Sequence, residues 1–140
     1  MKKIIVFALV LLTSVKLDAQ ELVSPNKNLK LNFELKNGVP FYQLNFKNRA
    51  VVKASRLGLA LADVPSLLDD FTIAKSATKT VNETWTPILG QQSHIHDNYN
   101  ELLVTLNQKD RTINIRFRLF DDGLGFRYEF PKQANLSYFT

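Results

Sequence analysis

The chain of 140 residues contains no cysteine, and this absence excludes several classes of protein. Without thiols it has no disulfide framework, no thiolate nucleophile and no attachment site for a lipoprotein anchor. Its fold must therefore be held by a hydrophobic core, for which a hydrophobic content of 45% is sufficient. A domain of this size buries roughly 65% of the surface of its unfolded chain, which allows independent stability if the core is complete.

Glycine and proline are also scarce, with five residues of each. The sequence contains no phosphate loop, dinucleotide fingerprint, nucleophile elbow or calcium-binding loop. The net charge is +5, but part of it lies in the first eighteen residues, and no basic run is longer than a dipeptide. The charge pattern therefore does not indicate a nucleic-acid partner.

The N-terminal segment has the layout of a secretory signal peptide. Lys2 and Lys3 precede an apolar run at residues 4–12, and small and polar residues follow as far as Gln20. We predict a signal peptide at residues 1–19, cleaved after Ala19 or Gln20, and a periplasmic or secreted mature protein with no membrane attachment. A permanent N-terminal anchor is the alternative. Residues 20–140 then form one domain.

Alternating apolar and polar residues indicate an all-β fold. Residues 28–35 and 39–46 alternate on either side of Asn37-Gly38, which is a strong hairpin signal. Residues 101–107, 112–120 and 124–130 form a second set in which the last two segments alternate regularly. Since each strand has one apolar face that needs a covering layer, we predict an antiparallel β-sandwich.

The middle of the chain is less regular. We predict a short strand at 50–53 and another at 56–62, where a short helix is the alternative. Strands at 71–75 and 80–85 are predicted to form a long hairpin. Residues 87–98 are predicted to be an irregular loop, which is long enough to be functional.

Two acidic or histidine-containing clusters are candidates for chemistry. His94 and His96 are spaced to share one face of a strand beside Asp97, as in a zinc site, but no third ligand is placed by spacing, which favours a polar loop. Asp121 and Asp122 are adjacent, so on a strand their carboxylates point in opposite directions. An acidic turn is the preferred interpretation of this pair.

Three arginines alternate on the outward side of the last two predicted strands. Arg116, Arg118 and Arg127 share this pattern with Glu129. They form either cross-strand ion pairs, which we favour, or a site for an anionic ligand.

Exposed aromatic side chains are candidates for stacking on sugar rings. Of Tyr42, Trp85, Tyr99 and Tyr128, only Trp85 borders the predicted long loop, which offers polar groups beside it. The predicted carbohydrate contacts are Trp85, His96, Asn98 and Tyr99. A core or rim position is the alternative for Trp85.

Several segments together carry a resemblance to a known family. They are Ser24-Pro25, residues 28–31, Leu57-Gly58-Leu59, Glu83-Thr84-Trp85 with Pro87 and Gly90, Tyr99-Asn100-Glu101, and IRFRLFDDGLGFRYEFP at 115–131. In this order they resemble the N-terminal domain of glycoside hydrolase family 97. Residues 94–98 depart from the family's pattern.

The resemblance implies the front part of a β-supersandwich like that of galactose mutarotase. Members of the family add a catalytic (β/α)8 barrel and a C-terminal β-domain, require calcium and act on α-glucosides or α-galactosides. No catalytic, cofactor-binding or metal-binding residue is carried over, because the catalytic carboxylates belong to the barrel. The expected partners are that barrel and α-linked oligosaccharides.

The apolar residues near the C-terminus, Tyr138 and Phe139, resemble the start of a further strand. We therefore expect residues 20–140 to be an incomplete sandwich whose exposed strand edges favour aggregation. In this interpretation the chain is a structural or carbohydrate-binding domain without catalytic activity of its own. The alternative is a free-standing carbohydrate-binding module.

Overall fold

The part of the chain that the structure describes forms eight β-strands. The structure, a computed structural model, describes residues 19–62, 64–89, 91 and 93–134, so most of the predicted signal peptide, Tyr138 and Phe139 lie outside the described residues. The strands are β1 (Ala19–Val23), β2 (Leu29–Lys36), β3 (Val39–Phe46), β4 (Arg49–Arg56), β5 (Thr72–Trp85), β6 (Ile95–Gln108), β7 (Arg111–Leu119) and β8 (Leu124–Glu129). Within these residues no helix is long and apolar enough to cross a membrane.

The strands form two four-stranded antiparallel sheets in which spatial order follows chain order. The first sheet has the order β1-β2-β3-β4 and the second the order β5-β6-β7-β8. Within each sheet, every strand is therefore hydrogen-bonded to its neighbour in sequence, whereas β4 and β5 lie in different sheets. The two sheets bury their apolar faces against each other, which confirms the predicted antiparallel β-sandwich.

The core is made from the alternating apolar residues of both sheets. Leu31 and Phe33 of β2 and Ile115 and Phe117 of β7 are completely buried. The rings of Phe33 and Phe117 meet across the sandwich with their centroids 5.9 Å apart. Because side chains on a strand alternate between faces, the residues between these positions point away from the core.

Turns with positive φ fix the register of the first sheet. Asn37 and Gly38 have φ values of 49° and 76°, and Lys47 and Asn48 have values of 46° and 65°. Two successive residues with positive φ match the right-handed twist of the flanking strands. The predicted hairpin at Asn37-Gly38 is confirmed, and β3 has the predicted bounds.

The prediction of a strand or short helix at 56–62 is wrong. β4 runs continuously to Arg56, and the chain then crosses between the sheets with only an isolated bridge from Leu59 to Leu67. Gly58 has a φ of 144°, and its amide donates a hydrogen bond to the Tyr128 hydroxyl over 2.9 Å. Leu57, Leu59 and Leu61 therefore pack on the core from an irregular connection and not from a hydrogen-bonded strand.

The middle of the second sheet also differs from the prediction. The two segments predicted at 71–75 and 80–85 are not two arms of a hairpin, because residues 72–85 form one 14-residue strand, β5. Its partner β6 also has 14 residues and begins at Ile95, so Ile95–Asn98 are not loop. Except for Ile73 and Val81, the residues of β5 are exposed, so burial imposes no alternation on this strand.

Candidate functional site

The predicted carbohydrate contacts lie at the free end of the β5–β6 hairpin. Trp85 is paired with Ile95 across the two strands, and Asn82 is paired with Asn98. Asn100 of β6 donates to the Val23 carbonyl of β1 over 2.7 Å, which ties the hairpin to the first sheet below its tip. Between Thr80, which is paired with Asn100, and the end of β5 at Trp85, all residues of β5 are exposed except Val81.

Trp85 has a defined orientation although its side chain is 47% exposed. The indole Nε1 donates a hydrogen bond to Asp97 Oδ2 over 3.1 Å. Satisfying the one polar atom of the indole leaves an apolar ring surface that is available for stacking. Trp85 is thus exposed and fixed in position, and its role as a sugar platform stays a prediction.

The strand register separates the four predicted contacts. Residues directly opposite each other in an antiparallel pair share a face, so Trp85, Asp97 and Tyr99 lie on one side of the hairpin. His96 and Asn98 lie on the other side, where His96 Nε2 is 2.7 Å from Asn82 Oδ1. The four residues therefore do not form a single surface, and their role in sugar binding remains a prediction.

Tyr99 is buried rather than available to a ligand. It is 5% exposed, and its ring lies 5.0 Å from that of Phe120. The Arg118 guanidinium covers the Tyr99 ring at 4.7 Å from the ring centroid. This contact is a cation–π arrangement that holds Arg118 in place.

The two histidines make local polar contacts. His94 Nδ1 is 3.3 Å from Thr86 Oγ1, and His96 contacts Asn82. Over residues 19–62, 64–89, 91 and 93–134, the structure brings together no group of three or more His, Asp or Glu side chains able to hold a metal ion.

The predicted cross-strand ion pairs are confirmed on the outer face of the second sheet. We call Arg116, Arg118 and Arg127, with Glu101 and Glu129, the arginine face. Arg116 donates from Nε and Nη2 to the two oxygens of Glu129 over 2.7 and 3.0 Å, and from Nη1 to Glu101. Arg118 Nε donates to Glu101 over 3.0 Å, and Arg127 Nε donates to Glu129 over 2.8 Å. Sequence reasoning missed Glu101, although its position opposite Arg118 follows once the register is known.

These contacts shift the pKa values of the groups involved. The hydrogen bond from Arg116, reinforced by Arg127, lowers the pKa of Glu129 to about 2. The same hydrogen bond raises the pKa of Arg116. Glu129 is therefore ionised throughout the physiological range.

The acidic turn has a structural role. Asp121 Oδ1 accepts a hydrogen bond from the backbone amide of Asn26 over 2.8 Å. The turn itself is closed by the Phe120 amide, which donates to the Gly123 carbonyl over 2.9 Å. Asp121 thus ties the β7–β8 turn to the β1–β2 connection, as expected of an acidic turn.

A cavity of about 500 Å³ lies between residues 64–70 and the β6–β7 turn, and sequence reasoning did not find it. Gln108 donates to the carbonyls of Ser66 and Asp69 over 3.1 and 2.6 Å. Arg111 donates to the Pro65 carbonyl and to the Gln108 side chain. These buried polar groups hold the crossing loop in place, so this cavity is a structural feature.

Known proteins share this sequence and fold. Residues 22–140 match the family described as Glycosyl-hydrolase 97 N-terminal. Similar solved structures include a glycoside hydrolase family 97 enzyme from Pseudoalteromonas sp. strain K8, in complex with panose and in complex with acarbose. That enzyme is 33% identical with a TM-score of 0.77, and the match covers 84% of this chain and 18% of the enzyme.

A beta-arabinopyranosidase shares the fold at 19% identity, with a TM-score of 0.73 over 83% of this chain and 19% of that enzyme. The chain thus spans about a fifth of the length of these enzymes. The family match covers most of the sequence and agrees with the observed two-sheet architecture. The chain therefore belongs to the family of glycoside hydrolase 97 N-terminal domains.

Proposed function

We propose that this chain serves as the non-catalytic N-terminal β-sandwich of an exported α-glycosidase. The observation that carries the proposal is the family match over residues 22–140, which includes all strands after β1. The signal-like pattern of residues 1–19 supports export to the periplasm or the medium. In the parent enzyme, a separate barrel supplies the catalytic carboxylates, and calcium is bound outside the residues described here.

The substrate class follows from the related enzyme. The Pseudoalteromonas enzyme is seen with panose and with acarbose, and these ligands support an α-linked oligosaccharide as the parent's substrate. The chain's own carboxylates Glu101 and Glu129 are held by arginines, and Asp121 is held by a backbone amide.

We expect the chain to hydrolyse neither nitrophenyl α-glucoside nor nitrophenyl α-galactoside, with or without added calcium. Glycoside hydrolysis needs two suitably separated carboxyl groups on either side of the scissile bond. The measurement is the release of nitrophenol by the full chain, with a complete family 97 enzyme as the positive control. Calcium-dependent release that purifies together with the chain would contradict the proposal.

The exposure of Trp85 favours a second candidate function, a free-standing carbohydrate-binding module. Its indole is fixed by Asp97 and has an open ring surface. Sugars present an apolar C–H face that stacks on such a ring and hydroxyl groups that bind polar atoms at its edge. On this side of the hairpin the polar edge is supplied by Asp97 and Glu83, since His96 lies on the opposite side.

If this second candidate is correct, maltooligosaccharides will change the intrinsic tryptophan fluorescence, because Trp85 is the only tryptophan. Trp85→Ala should weaken binding about tenfold, as followed by calorimetry, because the stacking surface is lost. His96→Ala is the matched control, since it removes a ring from the opposite face and should leave the affinity unchanged. Affinity that survives Trp85→Ala excludes Trp85 as the platform.

A further inference from the structure

The arginine face contains an open notch at Gly125. Gly125 is paired directly with Arg118, and Arg116 is paired with Arg127, so the four residues form a two-by-two array on one face. A Cβ atom built on Gly125 would meet nothing within 4 Å. The absence of a side chain here leaves a groove of about 290 Å³ lined by Arg116, Arg118, Phe120, Gly125, Phe126 and Arg127.

The arginines of this groove differ in how many of their N–H groups donate hydrogen bonds to carboxylates. Arg116 donates hydrogen bonds from Nε and both Nη groups to Glu129 and Glu101. Arg118 uses Nε for Glu101, and among the described residues its two Nη groups have no hydrogen-bond partner. Arg127 uses Nε and Nη2 for Glu129, which leaves its Nη1 without a partner in the same part of the chain.

The positive charge of the groove is not fully compensated. Three guanidinium groups are balanced by the two carboxylates Glu101 and Glu129. Lys79 lies directly across from Glu101 on β5 and adds a further positive charge to the same face. An excess of positive charge at a concave site attracts anions.

The groove is preorganised for a planar anion. Arg118 is fixed by its ion pair with the buried Glu101 and by the Tyr99 ring beneath its guanidinium. Arg116 is fixed by its two hydrogen bonds to Glu129, which lies on the neighbouring strand β8. Side chains that are already held in place lose little entropy when they bind, and guanidinium groups match the geometry of a carboxylate.

One remaining wall is apolar. Phe120, which packs on Tyr99, lines the groove on this face, whereas the Phe126 ring points to the opposite face of the sheet and packs on Phe117. A ligand that fits both surfaces carries a carboxylate on a ring with an apolar C–H face. The volume lies close to the lower end of known ligand cavities, roughly 300 Å³, which suits one monosaccharide unit.

We propose that the groove at Gly125 binds a hexuronate unit, with its carboxylate on Arg118 and Arg127 and its ring against Phe120. This site goes beyond the proposed function, because it takes an acidic sugar and lies away from Trp85. It is independent of whether the parent acts on neutral α-linked substrates. An outcome at this site therefore leaves the assignment of the chain as a non-catalytic domain unaffected.

The test is a calorimetric titration of the full chain with glucuronate, with glucose as the neutral probe and with inorganic sulfate as an anion without a ring. Glucuronate should bind at least tenfold more tightly than glucose or sulfate, and its affinity should fall as salt is added. Gly125→Val fills the notch, where an added Cβ atom meets nothing within 4 Å, and should weaken glucuronate binding at least tenfold. Lys53→Gln removes one positive charge from an exposed position on β4 and should leave the affinity unchanged.

Arg127→Gln provides a second variant that keeps the fold if Gly125→Val does not. It should also weaken glucuronate binding about tenfold, because one of the two arginines that donate to the carboxylate is lost. Equal binding of glucose and glucuronate overturns the proposal, as does undiminished binding by either groove variant. Sulfate binding as tight as glucuronate overturns the assignment to a sugar ring.

Discussion

Phe117→Ala is expected to lower the free energy of unfolding by about 3–5 kcal/mol. Phe117 is completely buried in β7, and its ring packs against Phe33, Tyr42 and Phe126 with centroids 5.7–6.4 Å away. Removing the ring deletes contacts with both sheets and leaves a cavity between them. Small domains have a total stability of about 5–15 kcal/mol, so this one change removes a large share of it. The measurement is urea denaturation followed by circular dichroism.

The matched control for this substitution is Phe46→Ala. It deletes the same ring from the end of β3, where the side chain is 40% exposed. We expect a smaller cost, about 1–2 kcal/mol, because part of that ring is already in water and its removal leaves no enclosed cavity. Equal costs for the two variants would show that the two sheets do not pack through Phe117.

Gly58→Ala is expected to destabilise the fold by about 3 kcal/mol, from backbone strain and overpacking together. Gly58 has a φ of 144°, which side chains disfavour, and an added Cβ would lie 2.7 Å from the Leu67 carbonyl oxygen. Relief of that clash displaces the crossing loop and breaks the bond from the Gly58 amide to Tyr128. A fall in the melting temperature, measured by differential scanning calorimetry, checks this expectation.

Gly125→Ala is the control for the glycine substitution itself. Its added Cβ meets nothing within 4 Å, and φ at Gly125 is not among the positive values of the chain. We expect no loss of stability, with a gain of up to about 1 kcal/mol, because alanine restricts the unfolded chain. If both alanine variants are equally stable, the conformation at Gly58 is not the constraint described here.

Strands that border the core were predictable because burial imposes alternation on them. β3 has the predicted bounds, and β2, β7 and β8 differ by one residue at their ends, since one side of each strand faces the core. β5 was not predictable as one strand, because a strand exposed on both faces has no hydrophobic period. The leucines at 57–61 alternate without belonging to a ladder, because Gly58 bends the chain there.

The candidate site was less predictable than the fold. Trp85 was identified from its residue type and position, and its exposure agrees with that choice. Its separation from His96 depends on the register of β5 against β6, which is set by pairing along the whole hairpin and not by local sequence. The Gly125 notch depends on the register of β7 against β8 for the same reason.

The chain order of the strands has a consequence for how the domain folds. Neighbours in each sheet are neighbours in sequence, so each ladder closes only a short loop. Each meander can therefore begin to pair on its own during synthesis, but Leu31 and Phe33 remain exposed until the second sheet arrives. We expect docking of the two meanders to limit the folding rate. An exchange of whole sheets between two copies would be the characteristic misfolded form, with residues 57–71 as its hinge.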